Sequence, residues 1–251
     1  MPTPYLTTPS DPILSRPPHG RDFFFMRTTL AFVCLLALLS PALAQTPPGA
    51  SEVAAYSGLH AAAAKGDVAE VERLSAAGGT ALEARDGNGR TPLIVAAHRR
   101  HHGAARALLK RGANANALDN QRYDIITIAS VADDVETLKL AIALGCDPKA
   151  ITSPYDGTAL IAAAHLGHAE VVRTLIAAGA PLDHVNNLGW TAAIEAVVLG
   201  DGGSRHQATL QALVDAGAST RIPDRAGLTP LAHAERRGFT AMVGLLSRQQ
   251  Q

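Results

Sequence analysis

The densest cluster of chemistry-bearing side chains in this 251-residue sequence is His98-Arg99-Arg100-His101-His102. His98 with His101 or His102 would bring two imidazoles together, as a transition metal requires of nitrogen ligands. Two arginines among them disfavour a cation, and no third ligand is apparent. A solvated basic patch is therefore expected, with no metal or other cofactor, and a calorimetric zinc titration separates the two readings. Cys146 is a second candidate. Cys34 is the other cysteine and lies in an apolar N-terminal run, so no internal disulfide is expected once that run is removed. Cys146 follows a glycine, where related positions hold Ala113, Ala180 and Ala218, which points to packing rather than a reactive thiol. The sequence has no phosphate-cradling glycine loop, no His-Glu-x-x-His, no paired-cysteine metal site and no nucleophile elbow, so it is not expected to be an enzyme.

Something regular must carry these residues, and a fixed period supplies it. Thr91-Pro92-Leu93 recurs as Thr158-Ala159-Leu160, Thr191-Ala192-Ala193 and Thr229-Pro230-Leu231, with weaker copies at Ser57-Gly58-Leu59 and Asp124-Ile125-Ile126. Successive starts are 34, 33, 34, 33 and 38 residues apart. A glycine series keeps the same beat at Gly78, Gly112, Gly145, Gly179 and Gly217. A polar turn series does so at Asp86, Asp119, Ser153, Asn186 and Asp224. Thr caps a helix by accepting from an orphan backbone N–H, and Pro fits the first helical position because its missing N–H had no partner there. Alanine pairs such as Ala163-Ala164 give a narrow face for close helix approach. A second helix follows, with apolar spacing as in Val171, Val172, Leu175 and Ile176. The glycine ends it in a left-handed conformation, and the polar marker folds a tight turn.

These markers resemble the ankyrin repeat family over about residues 52–247, best in the run from Thr158 to Val172. The resemblance implies an all-α solenoid of six helix-turn-helix repeats with β-turn fingers. The family often places His after Thr-Pro-Leu to link neighbouring repeats; only His60 stands there, which puts stability in question more than fold. Repeat three is the weakest copy, and repeat five has five extra residues near Asp201-Gly202-Gly203-Ser204-Arg205. His98 matches His165, and His101 matches His168, a common loop residue of the family.

In this family recognition uses the finger tips and the exposed face of each first helix. Carried over residue by residue, the expected protein-binding set is Arg90, His98 and Arg99 in repeat two, Tyr123 in repeat three, Tyr155 and Leu166 in repeat four, Leu188, Trp190 and Leu199 in repeat five, and Arg236 and Arg237 in repeat six. The middle repeats thus present aromatic and aliphatic groups between basic ends. Beyond residue 44 the aromatics are Tyr56, Tyr123, Tyr155, Trp190 and Phe239, and three of them fall in fingers. Aromatic and Arg side chains dominate interface energetics, so a partner protein is expected on the concave, finger-bearing face. The alternative is that these rings pack against neighbouring fingers.

The N-terminus reads as an export signal. Met26-Arg27 is followed by an apolar run from Leu30 to Leu39 and by Ala42-Leu43-Ala44, so cleavage is expected before Gln45. Ten apolar residues are too few for a membrane span, which needs about 20, so none is expected after cleavage. Residues 1–25 look like a doubtful upstream extension, 26–44 the signal, 45–51 a Pro/Gly linker, 52–247 the repeat domain and 248–251 a frayed tail. The 207 remaining residues carry 19 basic and 20 acidic side chains, which argues against nucleic acid. The reading is a monomeric periplasmic or secreted protein-binding adaptor. Exported bacterial proteins that resemble it sometimes accompany periplasmic enzymes, including catalases in stress defence. The rivals are a metal- or haem-binding protein using the nine histidines left after cleavage, testable by an optical spectrum, and a secreted effector of a host protein.

Overall fold

The computed structural model describes residues 45–76 and 79–248. The expected upstream extension, the secretory signal, the marker Gly78 and tail residues 249–251 lie outside the described residues. A short helix, α1 (Ala50–Ala55), precedes six antiparallel helix pairs. These are α2 (Gly58–Lys65) with α3 (Val68–Ser75), α4 (Pro92–His98) with α5 (His102–Lys110), and α6 (Ile125–Val131) with α7 (Val135–Ala143). They continue as α8 (Ala159–His165) with α9 (Ala169–Ala177), α10 (Ala192–Val198) with α11 (Ser204–Asp215), and α12 (Pro230–Arg236) with α13 (Thr240–Ser247). First helices stack on first helices and second on second, giving two layers. No helix among the described residues is long and apolar enough to cross a membrane.

Helices this short are not stable alone, so stacking must hold them. The local start signals work as the sequence suggests. Thr91, Thr158, Thr191 and Thr229 each accept from the backbone N–H three residues on, at 3.3, 3.4, 3.3 and 3.3 Å. Asp124 does the same for repeat three at 2.8 Å, so the weakest copy keeps a full cap. Alanines at the inner-layer contacts, among them Ala63, Ala96, Ala129, Ala163, Ala196 and Ala234, are fully or almost fully buried. One buried core runs from Leu59 to Ala218, and a smaller one, with Val197, Leu210, Met242 and Leu246, seats the last repeat.

Each finger is a turn closed by its polar marker. Asp86 Oδ1 accepts from the backbone N–H of Asn88 and Arg90, both at 2.9 Å. Asn186 Oδ1 accepts from Leu188 and Trp190, both at 3.0 Å. In repeat five the link between helices grows to residues 199–203 from 166–168 in repeat four, and the second helix grows to 12 residues from 9. The extra residues therefore divide between loop and helix rather than forming a loop alone.

The expected 45–51 linker is docked. Pro48 is buried, Gly49 N–H donates to Glu52 Oε2 at 2.7 Å, and helix α1 begins at Ala50. The single family histidine does its expected work, since His60 Nε2 donates to the Arg90 carbonyl at 2.9 Å across repeats. Elsewhere the link is made from another slot. His101 donates to the Ala64 carbonyl, His168 to that of Ser130 and His206 to that of His165, at 3.1, 2.8 and 3.0 Å. These carbonyls sit at first-helix C-termini, where intrahelical partners run out.

Candidate functional site

The finger and inner-helix face was expected to present eleven residues, and the structure sorts them into distinct groups. Arg90 is 1% exposed and belongs to a buried lock. Its Nε meets Asp86 Oδ2 at 2.7 Å and its Nη2 meets Glu52 Oε1 at 2.5 Å. It also donates to the Thr46 carbonyl at 3.0 Å and to the Tyr56 hydroxyl at 3.2 Å, while Tyr56 donates to Asp86 at 2.6 Å. Burial alone would raise the Asp86 carboxyl, but hydrogen bonds from Tyr56 and Arg90 outweigh it and hold it below the usual range. Burial likewise opposes the Arg90 charge, and Asp86 and Glu52 more than offset that. Arg90 is therefore a structural residue and not a partner contact.

Tyr123 is also corrected. It is 6% exposed and lies in the main core, where burial pushes its hydroxyl up to about 12. His98 is half-buried beside Arg90; desolvation, then the arginine charge, push its imidazole down to about 4. It is a neutral ring and not part of a solvated basic patch. Arg99 is exposed, but its Nε donates to the Ala64 carbonyl at 2.6 Å. Arg237 does the equivalent in repeat six, reaching the carbonyls of Val198 and Gly200 at 2.9 Å each and covering the Phe239 ring at 4.7 Å. Both arginines tie neighbouring repeats together while remaining at the surface.

The other expected contacts stay accessible. Leu188 is 40% exposed, Arg236 is exposed, and Tyr155, Leu166, Trp190 and Leu199 are half-buried. Trp190 occupies in repeat five the slot that Arg90 fills in repeat two, immediately before the capping Thr. Of the expected contacts, the accessible apolar ones all lie in repeats four and five.

The histidine cluster does not converge. His98 is turned in beside Arg90, His101 caps Ala64, and His102 lies between Asp134 and Glu136 at 2.9 and 3.0 Å. No group of three or more potential ligands gathers around one point among the described residues. Cys146 is 3% exposed, and its thiol donates to the Ala115 carbonyl at 3.1 Å. Burial, then the charge of Asp124, push that thiol far above its ordinary value, as expected of a packing residue.

Sequence reasoning missed the N-terminal strap. Thr46 N–H donates to Gln121 Oε1 at 3.2 Å, and Glu52 accepts from Asn88 Nδ2 at 2.7 Å. The chain's own residues therefore occupy recognition positions in repeats two and three. The spacing of Gly49 and Glu52 fits a capped helix start, but nothing in the sequence pairs Glu52 with Arg90.

With this geometry in view, the comparisons agree on a family. A model of ankyrin repeats (3 copies) matches residues 59–152 and 125–224. The chain is 32% identical over 186 residues to the ankyrin repeat protein YahD of Escherichia coli (strain K12), covering 74% of this chain and 92% of YahD. A crystal structure of an ankyrin repeat domain from Acinetobacter baumannii AYE shares 42% identity at a TM-score of 0.71, covering 75% of this chain and 95% of that one. A chain from a solved complex of a predatory endopeptidase from Bdellovibrio bacteriovorus with an immunity protein shares the fold, at 24% identity and a TM-score of 0.65, covering 77% of this chain and 98% of that chain. The protein belongs to the ankyrin repeat family, whose domains generally mediate protein–protein interaction.

Proposed function

We propose that this protein is an exported, non-enzymatic adaptor that binds a partner protein through the fingers and inner helices of repeats four to six. The observation that carries this is the accessible apolar row of Leu188, Trp190 and Leu199, flanked by Tyr155 and Leu166. Accessible aromatic and aliphatic side chains on the finger and inner-helix face favour a protein partner. Export to the periplasm rests on the sequence pattern at 26–44, with Gln45 as the mature N-terminus. A periplasmic enzyme, such as a catalase in stress defence, is the partner class the family resemblance suggests.

The test is crosslinking capture from periplasmic extract with wild type and Trp190→Ala. A specific protein retained by the wild type and lost with the variant is expected. Equal capture by both, or export failure with the signal intact, contradicts the proposal.

A further inference from the structure

We propose that the face of repeats five and six receives an acidic segment of the partner, with Leu188 and Trp190 beneath its apolar residues and Arg225 and Arg236 opposite its carboxylates. This rests on the protein-binding reading above and specifies the partner's chemistry.

The first argument is charge. In the upstream repeats Arg73, Arg90, Arg122, Arg173 and Arg205 each have a carboxylate in ion-pair range, while Arg85 and Arg99 bond backbone carbonyls instead. In repeat six, Arg225, Arg236 and Arg237 have none among the described residues, and Arg225 and Arg236 are exposed. Arg225 is held in place without being neutralised. Its Nη2 donates to the Asn187 carbonyl, and its side chain crosses Gly189, where a Cβ would come within 2.7 Å of Arg225 Cγ. Gly189 has φ +86°, so both backbone and space reserve that position for glycine. The guanidinium is thereby placed against the finger that carries Leu188 and Trp190. Arg236 fills in repeat six the inner-helix slot held by His98 in repeat two and Val198 in repeat five.

The second argument is that the chain already displays this mode of binding. At repeats two and three its own segment 46–52 lies on the equivalent face. Glu52 is received by Arg90 and Asn88, Pro48 is buried, and the Thr46 amide bonds Gln121. Asn88 and Arg90 occupy the finger slots that Leu188 and Trp190 occupy in repeat five. In that segment the proline lies on the chain before helix α1 and the carboxylate in its first turn, so this surface suits a segment that brings proline and carboxylate together. At repeats five and six the slots are apolar and the positive charge comes from the next repeat. Charge complementarity then selects an acidic segment with an apolar residue between its carboxylates.

The test uses the full mature chain with fluorescein-labelled short peptides of aspartate, glutamate, proline and one leucine. Controls are the asparagine/glutamine counterpart and a single-stranded DNA of similar length. Anisotropy should show binding of the acidic peptide that weakens as salt rises, and at least about threefold loss on Arg225→Glu or Arg236→Glu, with unchanged circular dichroism and melting. Absence of acidic-peptide binding, equal affinity for the amide counterpart, indifference to both charge reversals, or tighter binding of the DNA overturns the inference. Periplasmic capture separates this from the broader reading. A partner that requires Trp190 but neither arginine removes the acidic segment and leaves the adaptor, whereas a partner indifferent to Trp190 removes the adaptor face itself.

Discussion

Repeats two and five share one scaffold and use it in opposite ways. In repeat two the residue before the capping Thr is Arg90, which is 1% exposed and ion-paired to Asp86 and Glu52. In repeat five the same slot holds Trp190, half-buried, with Leu188 40% exposed two residues earlier. Their inner helices begin with the same Thr cap, at 3.3 Å in each. The difference lies in what covers the slot. The strap from Thr46 to Glu52 closes the N-terminal part of the face, and no such segment is described over repeats five and six. A repeat fold thus leaves the use of each slot to residues outside the repeating pattern.

The contrast is most severely tested by removing the lock. Arg90→Met leaves Asp86 and Glu52 without their cation and should cost about 3 kcal/mol, in the range for breaking one side of a buried pair. Chemical denaturation should show the loss, and hydrogen exchange should place it in α1, α2 and the repeat-two finger. Binding at repeats five and six should be unaffected. An unchanged denaturation midpoint would remove the lock from the account.

Trp190→Ala should behave in the reverse manner. Partner affinity should fall by about 2 kcal/mol, as for an aromatic hot spot, with the fold retained. A large drop in melting temperature with unaltered affinity would make Trp190 another packing residue like Tyr123.

A smaller effect concerns pH. His98 titrates near 4 in the folded chain, against about 6.5 when unfolded. Between those values the unfolded state holds more protons, so the contribution from neutral His98 is complete above about pH 6.5 and is lost as pH falls toward 4. His98→Val, which installs the residue type of Val198 in the same slot, should flatten the dependence of stability on pH in that window. Parallel profiles for wild type and variant would show that the ring is not held neutral. The smallest effect is expected for Cys146→Ala, which copies the residue of the neighbouring repeats and should change stability by about 1 kcal/mol or less, measured by urea denaturation.

Much of the scaffold was legible because its signals are local. A Thr cap, an alanine pair and a polar turn marker each act within a few residues, and period alone brings them into register. Even the weak third repeat kept the pattern, because Asp124 caps a helix as well as Thr does. The candidate site was legible only in part. Leu188, Trp190, Leu199 and Arg236 remain accessible where the family resemblance put them, while Arg90 and Tyr123 do not. Arg99 and Arg237 are at the surface, but their guanidiniums were claimed by carbonyls of the preceding repeat, 35 and 39 residues away.

The sequence by itself determined the repeat number, the helix starts, the finger turns and the packing role of Cys146, since each depends on neighbours in the chain or on the period. Only the tertiary structure decided which finger residues stay accessible. Arg90 is hidden by Glu52, 38 residues away, and the Thr46 amide reaches Gln121, 75 residues away. No local propensity encodes contacts of that span; they exist because stacking the repeats lays the fingers side by side beneath the incoming strap.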